Sequence, residues 1–258
     1  MTAHRPPRVR AVPAVTRAIA VLRLLSRSRV PLALKAIAQS LGLVPSTALH
    51  ILRALVAEQL VRVDTVTKQY SLGIGMLPLA RAVLEHGDFP SLVRPKLDEL
   101  SSRYDVTAIG LELPDLDYMI VVALARAQAP VRLHVDVGSR FPALISATGR
   151  CLAAFSEHPW SEIEGRFHRL RWHKAPSYAT WRKEVDQARR QGFSIDRSDY
   201  IAGVTIAAVP VFDAHGKISQ ALAAVGLGDQ LDRATALKLA RDMKSAAQEV
   251  TAQMVPQS

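Results

Sequence analysis

Two short amphipathic helices joined by a tight turn, predicted between residues 33 and 57, constrain this chain more than any other feature of its sequence. Apolar residues of the first helix recur at the spacing of one helix face, at Leu34, Ile37, Ala38 and Leu41. Gly42 is placed to end that helix, because glycine readily adopts the left-handed conformation found after helix C-termini. Pro45 suits the first turn of the second helix, where the hydroxyls of Ser46 and Thr47 are expected to bond unpaired amides.

The second helix has two faces of opposite character. Its apolar face comprises Ala48, Ile51, Leu52 and Leu55. Its other face carries four hydrogen-bonding side chains, those of Ser46, Thr47, His50 and Arg53. Such a helix can pack on its own domain through one face and reach base edges in the major groove of DNA with the other. Paired amphipathic helices also occur in ordinary helical cores, so this pattern alone leaves that alternative open.

Two short alternating segments follow the helix pair and predict a hairpin. They run from Val61 to Val63 and from Lys68 to Leu72, with a turn at Asp64 to Thr67 between them. If their valines and aromatic residue point inward, Arg62 and Lys68 point outward, where they can flank a phosphate backbone. The helices and hairpin together predict a winged helix-turn-helix.

Positive charge is concentrated in the same part of the chain. Residues 1–80 contain 11 Lys and Arg against 2 Asp and Glu, a net charge of +9. The remaining 178 residues contain 22 and 21, a net charge of +1. This asymmetry indicates that the first part faces a polyanion and favours DNA binding over a purely structural helix pair.

The residues before the helix pair add further candidate phosphate contacts. Residues 1–12 predict a mobile basic arm in which Arg8 and Arg10 contact phosphate or the minor groove; a solvated tail is the alternative. The first helix is predicted from about Val15 to Ser26, and Arg17 on its outer side is expected to contact phosphate. Its inner face is predicted to comprise Ile19, Leu22 and either Leu25 or Val21.

Length and composition place the chain among globular two-domain proteins. It has 258 residues, 49% of them hydrophobic and 22% charged, which is enough for two domains. Arg17 and Arg23 interrupt the most apolar early segment, so we expect neither a membrane helix nor a signal peptide. Its one cysteine, Cys151, excludes an internal disulfide and favours a cytoplasmic protein.

A short apolar helix is predicted from Met76 to Glu85, between the basic region and the rest of the chain. Its apolar stripe must be buried, and a second copy of the chain is the expected partner. We therefore predict a homo-oligomer, and place the winged domain at residues 1–74, a linker helix at 75–89 and a second domain at 90–258.

The second domain mixes helices and strands in an order that predicts an α+β fold around one antiparallel sheet. Helices are predicted at 91–104, 147–155 and 178–191, with another between the last two and a closing helix at 234–254. Strands are predicted at 106–113, 118–126, 131–137, 193–196, 204–212 and 218–227, the last two joined by a turn at Asp213 to Gly216.

Several segments resemble the IclR family of bacterial transcriptional regulators, in order, from about Val12 to Leu231. In the winged domain these segments are Thr16 to Leu22, Ile37-Ala38, Gly42-Leu43, Ser46-Thr47 and Tyr70 to Gly73. In the second domain they are Val137 to Pro142, Ala147 to Arg150, Gly192 to Asp196, Gly203 and Pro210 to Asp213.

The resemblance implies a winged-helix DNA-binding domain, a linker helix and a GAF-like effector-binding domain. It further implies a dimer or a dimer of dimers that binds double-stranded operator DNA and controls a catabolic or resistance operon according to a small effector. We expect a repressor rather than an activator, with no cofactor and no membrane partner. The effector site that it implies comprises Leu133, Phe141, Ala147, Thr148, Gly149, Asp196, Ile206, Ala223 and Val225.

Four positions depart from the pattern expected of the family. Members often carry cysteine at the position of Ile206 and serine at those of Ala223 and Val225, whereas these residues are apolar here. A buried carboxylate without partners loses several kcal/mol, roughly, so we expect an apolar or aromatic effector, held by few polar groups such as backbone amides near Gly149 and Asp196, or a shrunken pocket without ligand. His50 stands where many members have arginine, which leaves the operator sequence open.

Other chemistries find weaker support in the sequence. Cys151 is followed by apolar residues and is read as a buried hydrophobe. His168 and His173 lie among cations, which disfavours a metal site. Asp196 and Asp199 are read as ligand-binding or turn-capping residues rather than as an acid/base pair. A small-molecule enzyme with an appended basic domain remains the alternative, which the charge asymmetry disfavours.

Overall fold

The computed structural model describes residues 12–86, 88–126 and 135–254, and for residues 83–86 and 88 it describes the backbone alone. The chain forms two compact units that divide between Val83 and Leu84. Each unit is described by itself below.

The described part of the first unit contains three helices, most of a fourth that extends past Val83, and a small antiparallel sheet. The helices are α1 (Pro13–Arg27), α2 (Leu34–Leu41), α3 (Pro45–Ala57) and α4 (Met76–His86). The strands are β1 (Leu32–Ala33), β2 (Val61–Val63) and β3 (Gln69–Leu72), in the order β1-β3-β2. The predicted winged helix-turn-helix is therefore confirmed, with one strand, β1, that the sequence analysis missed because it has only two residues.

Buried faces of α1, α2, α3 and β2 build the core of this unit. Its buried members are Val21, Leu25, Ile37, Leu52, Leu55 and Val61. The prediction for α1 was wrong at Ile19, which is 42% exposed, while Val21 is fully buried. Leu25 follows Val21 by four residues and so lies on the same face of α1, which turns Ile19 outward.

The turn between α2 and α3 follows the predicted geometry at Gly42 and Pro45. The predicted capping of α3 by the hydroxyls of Ser46 and Thr47 was wrong. Gly42 has φ +61°, and the amide of Leu43 donates to the carbonyl of Ala38 at 2.8 Å, which closes the end of α2. Pro45 begins α3. The residue before α3 is Val44, and no side chain caps the helix, because Ser46 and Thr47 already lie inside its first turn.

The second unit is built on a six-stranded antiparallel sheet. Its strands are β4 (Thr107–Glu112), β5 (Tyr118–Ala125), β6 (Arg140–Pro142), β7 (Ser194–Arg197), β8 (Val204–Phe212) and β9 (Ile218–Leu227), in the order β6-β5-β4-β9-β8-β7. Its helices are α5 (Asp88–Tyr104), α6 (Ser146–Phe155), α7 (Trp160–Phe167), α8 (Tyr178–Gln191) and α9 (Arg233–Met254). The α+β class predicted from the sequence is confirmed.

Helices cover both faces of this sheet, so that its central strands are buried on both sides. On β9, Leu222 and Ala224 pack into one core with α5 and α9. Ala221, Ala223 and Val225 alternate with them and face the opposite core, which includes residues of α6 and α8. The period of two along each strand thus assigns neighbouring residues to different cores.

One predicted strand differs from the structure. Most of the segment from Val131 to Val137 lies outside the described residues, and Val135 to Ser139 is not in a strand. Among the described residues, the strand at this edge of the sheet is β6, where Phe141 pairs with Met119. The prediction was therefore wrong for Val135 to Val137, because pairing depends on which segment reaches the free edge of β5 and not on local alternation.

Among the described residues, no single helix is long and apolar enough to span a membrane. The pair α2 and α3 reaches the required length and hydropathy together, but its two helices meet at 112°.

Candidate nucleic-acid interface and ligand cavity

The outer face of α3 presents polar side chains to solvent. Ser46, His50 and Arg53 are exposed and Thr47 is half-buried. On the other side of the helix, Ala48, Leu52 and Leu55 are buried in the core. Because the buried residues fix the helix, its outer face is held in a defined direction, as base reading in a groove requires.

Two further basic residues of the same unit are exposed. These are Arg17 on α1 and Lys68 in the turn before β3. Within the part of the chain that the structure describes, Arg17, Arg53 and Lys68 form no ion pair, so each can meet an external anion. The predicted contacts Arg8 and Arg10 lie outside the described residues.

The hairpin turn is held by one carboxylate. Asp64 Oδ1 accepts hydrogen bonds from the amides of Val66 at 2.9 Å and Thr67 at 2.7 Å. These bonds lower the pKa of Asp64 below its usual value. Arg62 lies across the hairpin from Ser71 and its Nε donates to Ser71 Oγ at 2.8 Å. This hydrogen bond directs Arg62 across the hairpin toward β3. Lys68 belongs to the turn and has φ +55°.

A cavity lies in the second unit on the side of the sheet that α6 covers. Its interior space is small, about 70 Å³, and it opens to solvent. Strands contribute Ile109, Leu111, Met119, Phe141, Ile206, Ala223 and Val225, and helix α6 and the loops contribute Val135, Ile145, Ser146, Thr148, Tyr200 and Ile201. A compact organic molecule that fills this space would bury its apolar surface against these side chains.

The chemistry of the cavity is almost entirely apolar. Its polar side chains among the described lining residues are the hydroxyls of Ser146, Thr148 and Tyr200, and none of those lining residues is charged. Burial raises the pKa of Tyr200, so its hydroxyl stays protonated and can donate a hydrogen bond. Ser146 begins α6 with φ +61°, and its Oγ accepts the amide of Ala147 at 2.5 Å.

A buried ion cluster lies beside the cavity. Arg150 on α6 is 1% exposed. Its guanidinium donates to Glu184 at 2.7 Å, to Asp196 at 3.2 Å and to Asp199 at 2.6 Å. Burial by itself would lower the pKa of Arg150, but Glu184 and the other carboxylates raise it on balance. The guanidinium is therefore charged and fully engaged with protein groups.

Comparison with known families assigns both units. The IclR helix-turn-helix domain matches residues 14–65, and the C-terminal domain of the bacterial transcriptional regulator IclR matches residues 81–252. The chain belongs to the IclR family. As an IclR-family transcriptional regulator it has an N-terminal helix-turn-helix domain and a C-terminal effector domain.

Individual relatives and solved structures agree with this assignment. The chain is 30% identical over 230 residues to the uncharacterized HTH-type transcriptional regulator RhmR of Escherichia coli. The aligned region covers 86% of this chain and 85% of RhmR. It is also 30% identical over 225 residues to the glycerol operon regulatory protein of Streptomyces griseus, with 87% of each chain covered. A crystal structure of an IclR transcriptional regulator from Alicyclobacillus acidocaldarius superposes with a TM-score of 0.83 at 25% identity, covering 95% of this chain and all of that one.

In this IclR-family chain, five of the nine predicted effector residues line the cavity: Phe141, Thr148, Ile206, Ala223 and Val225. Leu133 lies outside the described residues. The three departures from the family pattern, at Ile206, Ala223 and Val225, thus all fall on the cavity wall, which accounts for its apolar character.

The structure places the other three predicted effector residues away from the cavity. Ala147 is fully buried among core residues. Gly149 packs against the backbone of Leu144, and its amide donates to the carbonyl of Ile145 at 2.9 Å, so this amide is not available to a ligand. Asp196 is fully buried and bonded to Arg150.

Asp196 is bonded to protein groups through both of its carboxylate oxygens. Its Oδ1 accepts the amides of Asp199 at 3.1 Å and Tyr200 at 3.4 Å, which is the turn-capping alternative named from the sequence. Burial raises the pKa of Asp196, and Arg150 opposes that rise.

The sequence analysis missed the strand residues on the inner side of the cavity. Ile109 pairs with Ala223 across β4 and β9, and Leu111 lies two residues along on the same face. Alternation in β4 indicates that Ile109 and Leu111 share a face, but only the sheet order shows that this face lines the cavity. Tyr200 and Ile201 lie in the loop between β7 and β8, and no local sequence pattern predicts where this loop runs.

Proposed function

We propose that this IclR-family protein binds operator DNA as a homodimer, and that a small uncharged apolar or aromatic effector in the cavity modulates this binding. The effector shifts the population of dimer geometries that fit the operator, by its different affinity for each geometry. The observation that carries the DNA-binding part is the exposed polar face of α3 on a domain that carries nearly all of the chain's net positive charge.

The charges of the first unit support a large electrostatic contribution to binding. Phosphates neutralised by Arg17, Arg53, Lys68 and the basic residues 1–12 release condensed counterions, which lowers the logarithm of affinity with the logarithm of salt by about 0.9 per contact. Exposed Ser46 and His50 supply hydrogen-bonding groups for base edges.

Exposed apolar residues support association with a second copy. On α4, Leu77 is 63% and Leu79 is 56% exposed, and Ile74 just before it is 72% exposed. Large apolar side chains grouped this way mark a protein interface. A dimer places two copies of α3 toward successive major grooves, so that two half-sites contribute to affinity. Analytical ultracentrifugation of the full-length protein would also show whether dimers pair into tetramers.

The lining of the cavity supports an uncharged effector. A carboxylate placed among Ile206, Ala223 and Val225 would lose several kcal/mol of hydration, roughly, without gaining a cationic partner there. Arg150, the nearby guanidinium, is already bonded to three carboxylates. The three hydroxyls that remain can bond one carbonyl or hydroxyl group of an otherwise apolar molecule.

We expect control of a catabolic operon, with the protein acting as a repressor that the effector releases. The relative from Streptomyces griseus is named for an operon that it regulates. The alternative, an enzyme with a basic domain, finds little support among the described residues. Burial raises the pKa of the lone thiol, Cys151, to about 12, which keeps it protonated, and Asp196 and Asp199 are bonded to Arg150.

A salt-titrated gel shift of the full-length protein on the DNA upstream of its own coding region tests this proposal. A specific shift that survives excess competitor DNA supports the regulator. Binding that is equal for any duplex and disappears at moderate salt contradicts specific recognition of this DNA. An effector screen by thermal shift, with neutral aromatic compounds beside their carboxylate analogues, then tests the ligand class.

A further inference from the structure

The segment that connects β7 to β8 forms part of the cavity wall. It comprises residues 198–203, here named the wall segment, and its Tyr200 and Ile201 line the cavity. Ser198 and Gly203 both have positive φ, +68° and +70°, so the backbone turns sharply at each end. The amide of Ser198 donates to the carbonyl of Val204 at 2.9 Å. The segment is thus a tight loop that presents two side chains to the ligand space.

One side chain of the wall segment is bonded to the interior of the domain. Asp199 Oδ2 accepts from Arg150 Nη2 at 2.6 Å. Arg150 is 1% exposed and belongs to α6, whose first residues Ser146 and Thr148 also line the cavity. A charged hydrogen bond at this distance, on a buried donor, is among the stronger contacts in a protein. It connects two parts of the cavity wall.

The backbone of the wall segment is bonded to a different part of the chain. The carbonyls of Asp199 and Tyr200 accept the amides of Lys174 at 2.9 Å and His173 at 3.2 Å. The adjacent Trp172 ring lies 5.8 Å from the Arg150 guanidinium. A displacement of Tyr200 or Asp199 therefore changes hydrogen bonds of the exposed residues 173–174, at the surface of the domain.

From these contacts we propose that Arg150 is a positioning residue, which sets effector affinity by holding Tyr200 and Ile201 in the cavity wall through Asp199. The Asp199 contact adds to the hold that Asp196 has on the amides of Asp199 and Tyr200. An effector that moves Tyr200 alters the hydrogen bonds at His173 and Lys174. The effector part of this inference rests on the proposed function. The fixing of the wall segment does not, since it concerns the protein without ligand.

The three carboxylates around Arg150 provide a matched control. Glu184 is bonded to the same guanidinium at 2.7 Å, but it belongs to α8 and not to the wall segment. Asp199 and Glu184 are both partly exposed, at 26% and 36% of their side chains, whereas Asp196 is fully buried. Asp199→Ala and Glu184→Ala therefore each remove one carboxylate from Arg150, and only the first removes a side-chain bond between Arg150 and the wall segment. Changes at Arg150 itself are avoided, because they would leave buried carboxylates without a cation.

The first measurement is amide hydrogen exchange on the full-length protein and its variants. We expect Asp199→Ala to accelerate exchange at residues 173–174 and 198–204 by about tenfold or more, since a charged hydrogen bond is lost. In Glu184→Ala the exchange rates of these amides should stay within about twofold of wild type, because Glu184 is not bonded to the wall segment. Asp199→Asn keeps an oxygen acceptor for Arg150 and should restore most of the protection. Retained gel-shift activity and circular dichroism establish that the variants fold.

The second measurement is binding of a neutral fluorophore, N-phenyl-1-naphthylamine. We expect Asp199→Ala to weaken binding by about tenfold, while Glu184→Ala and Asp199→Asn bind within about threefold of wild type. Equal acceleration of exchange by both alanine variants, or none by Asp199→Ala, would overturn the positioning role. If wild-type protein fails to bind the fluorophore and every neutral aromatic compound, the effector proposal fails, while the exchange data alone still decide whether Arg150 holds the wall.

Discussion

A β-carbon on Gly73 would lie 2.0 Å from the carbonyl oxygen of Gln59. Gln59 follows the C-terminus of α3 and has φ +58°, and Gly73 follows β3, directly ahead of α4. Two backbone hydrogen bonds join the same segments. The amide of Gly73 donates to the carbonyl of Leu60 at 2.9 Å, and the amide of Gly75 donates to the carbonyl of Gln59 at 3.1 Å. The reading helix is thus joined to the start of α4 by backbone contacts that only glycine permits.

Gly73→Ala should therefore destabilise the winged domain, by about 1–3 kcal/mol, because backbone atoms must move to admit the methyl group. Urea denaturation followed by circular dichroism measures the change. Gly165→Ala is the matched control, because no atom lies within 4 Å of a β-carbon there and the residue is in a helix, α7. Equal stability of the Gly73 variant and wild type would contradict the close approach.

Arg53→Ala should weaken operator binding by about tenfold without changing the fold, since a charged contact is lost from the exposed face of α3. The slope of log affinity against log salt should become shallower by about 0.9 if Arg53 contacts one phosphate. Salt-titrated gel shifts measure both quantities. Arg94→Ala removes an exposed cation from the second unit and should leave binding unchanged. If Arg53→Ala binds as wild type does, the assigned reading face is incorrect.

Ala223→Ser should leave DNA binding intact and alter the response to effector, because it places a hydroxyl on the cavity wall. We expect apolar ligands to bind a few fold more weakly. Ligands with a carbonyl or carboxylate should bind more tightly, by on the order of 1 kcal/mol of binding free energy. Thermal shift with both ligand types measures this. Ala224→Ser, one residue along β9, faces the opposite core and should lower stability without changing ligand preference. The same ligand preference in Ala223→Ser and wild type would contradict the cavity assignment.

Leu79→Glu should disrupt the dimer proposed above, because it places a charge on the exposed apolar surface of α4. Analytical ultracentrifugation should show a shift toward monomer, and operator affinity should fall by about tenfold or more as one half-site is lost. Val66→Glu is the control, since Val66 is 88% exposed in the hairpin turn and should not affect association. An unchanged oligomeric state in Leu79→Glu would locate the interface elsewhere.

Acid should weaken the packing of α5 on α9 through Asp242. Its Oδ2 accepts from the Tyr104 hydroxyl at 2.5 Å and from Arg103 at 3.0 Å, and these bonds hold the pKa of Asp242 below its usual 3.8. The resulting stability is present above the ordinary pKa and is lost as pH falls through the lowered value. It amounts to about 1 kcal/mol or less, because the carboxylate is partly solvated.

Urea unfolding at neutral pH and at about pH 3 measures the acid effect. The loss of stability on acidification should be smaller in Asp242→Asn than in wild type. Tyr104→Phe, which removes the donor, should reduce it as well. An undiminished pH dependence in both variants would show that other carboxylates account for it.

Local periodicity was sufficient for most of the fold. The stripe of Leu52 and Leu55, the helix stop at Gly42 and the turn at Asp213 to Gly216 each depend on neighbours within a few residues, and all are present in the structure. The long strands β8 and β9 and the closing helix α9 also agree within a few residues of the predicted bounds. Ile19 and the hydroxyls at Ser46 and Thr47 were misjudged, since burial and capping depend on position within one helical turn.

Periodicity and turn chemistry, which are short-range properties, were enough to predict the winged helix-turn-helix, the α+β class of the second domain and the polar face of α3. The folded chain was needed to learn which side of the sheet Ala223 and Ile109 face, that β6 pairs with β5, and that Asp196 bonds Arg150. Those outcomes depend on strands and helices far apart in the chain meeting in one register, and a local pattern carries no information about that meeting.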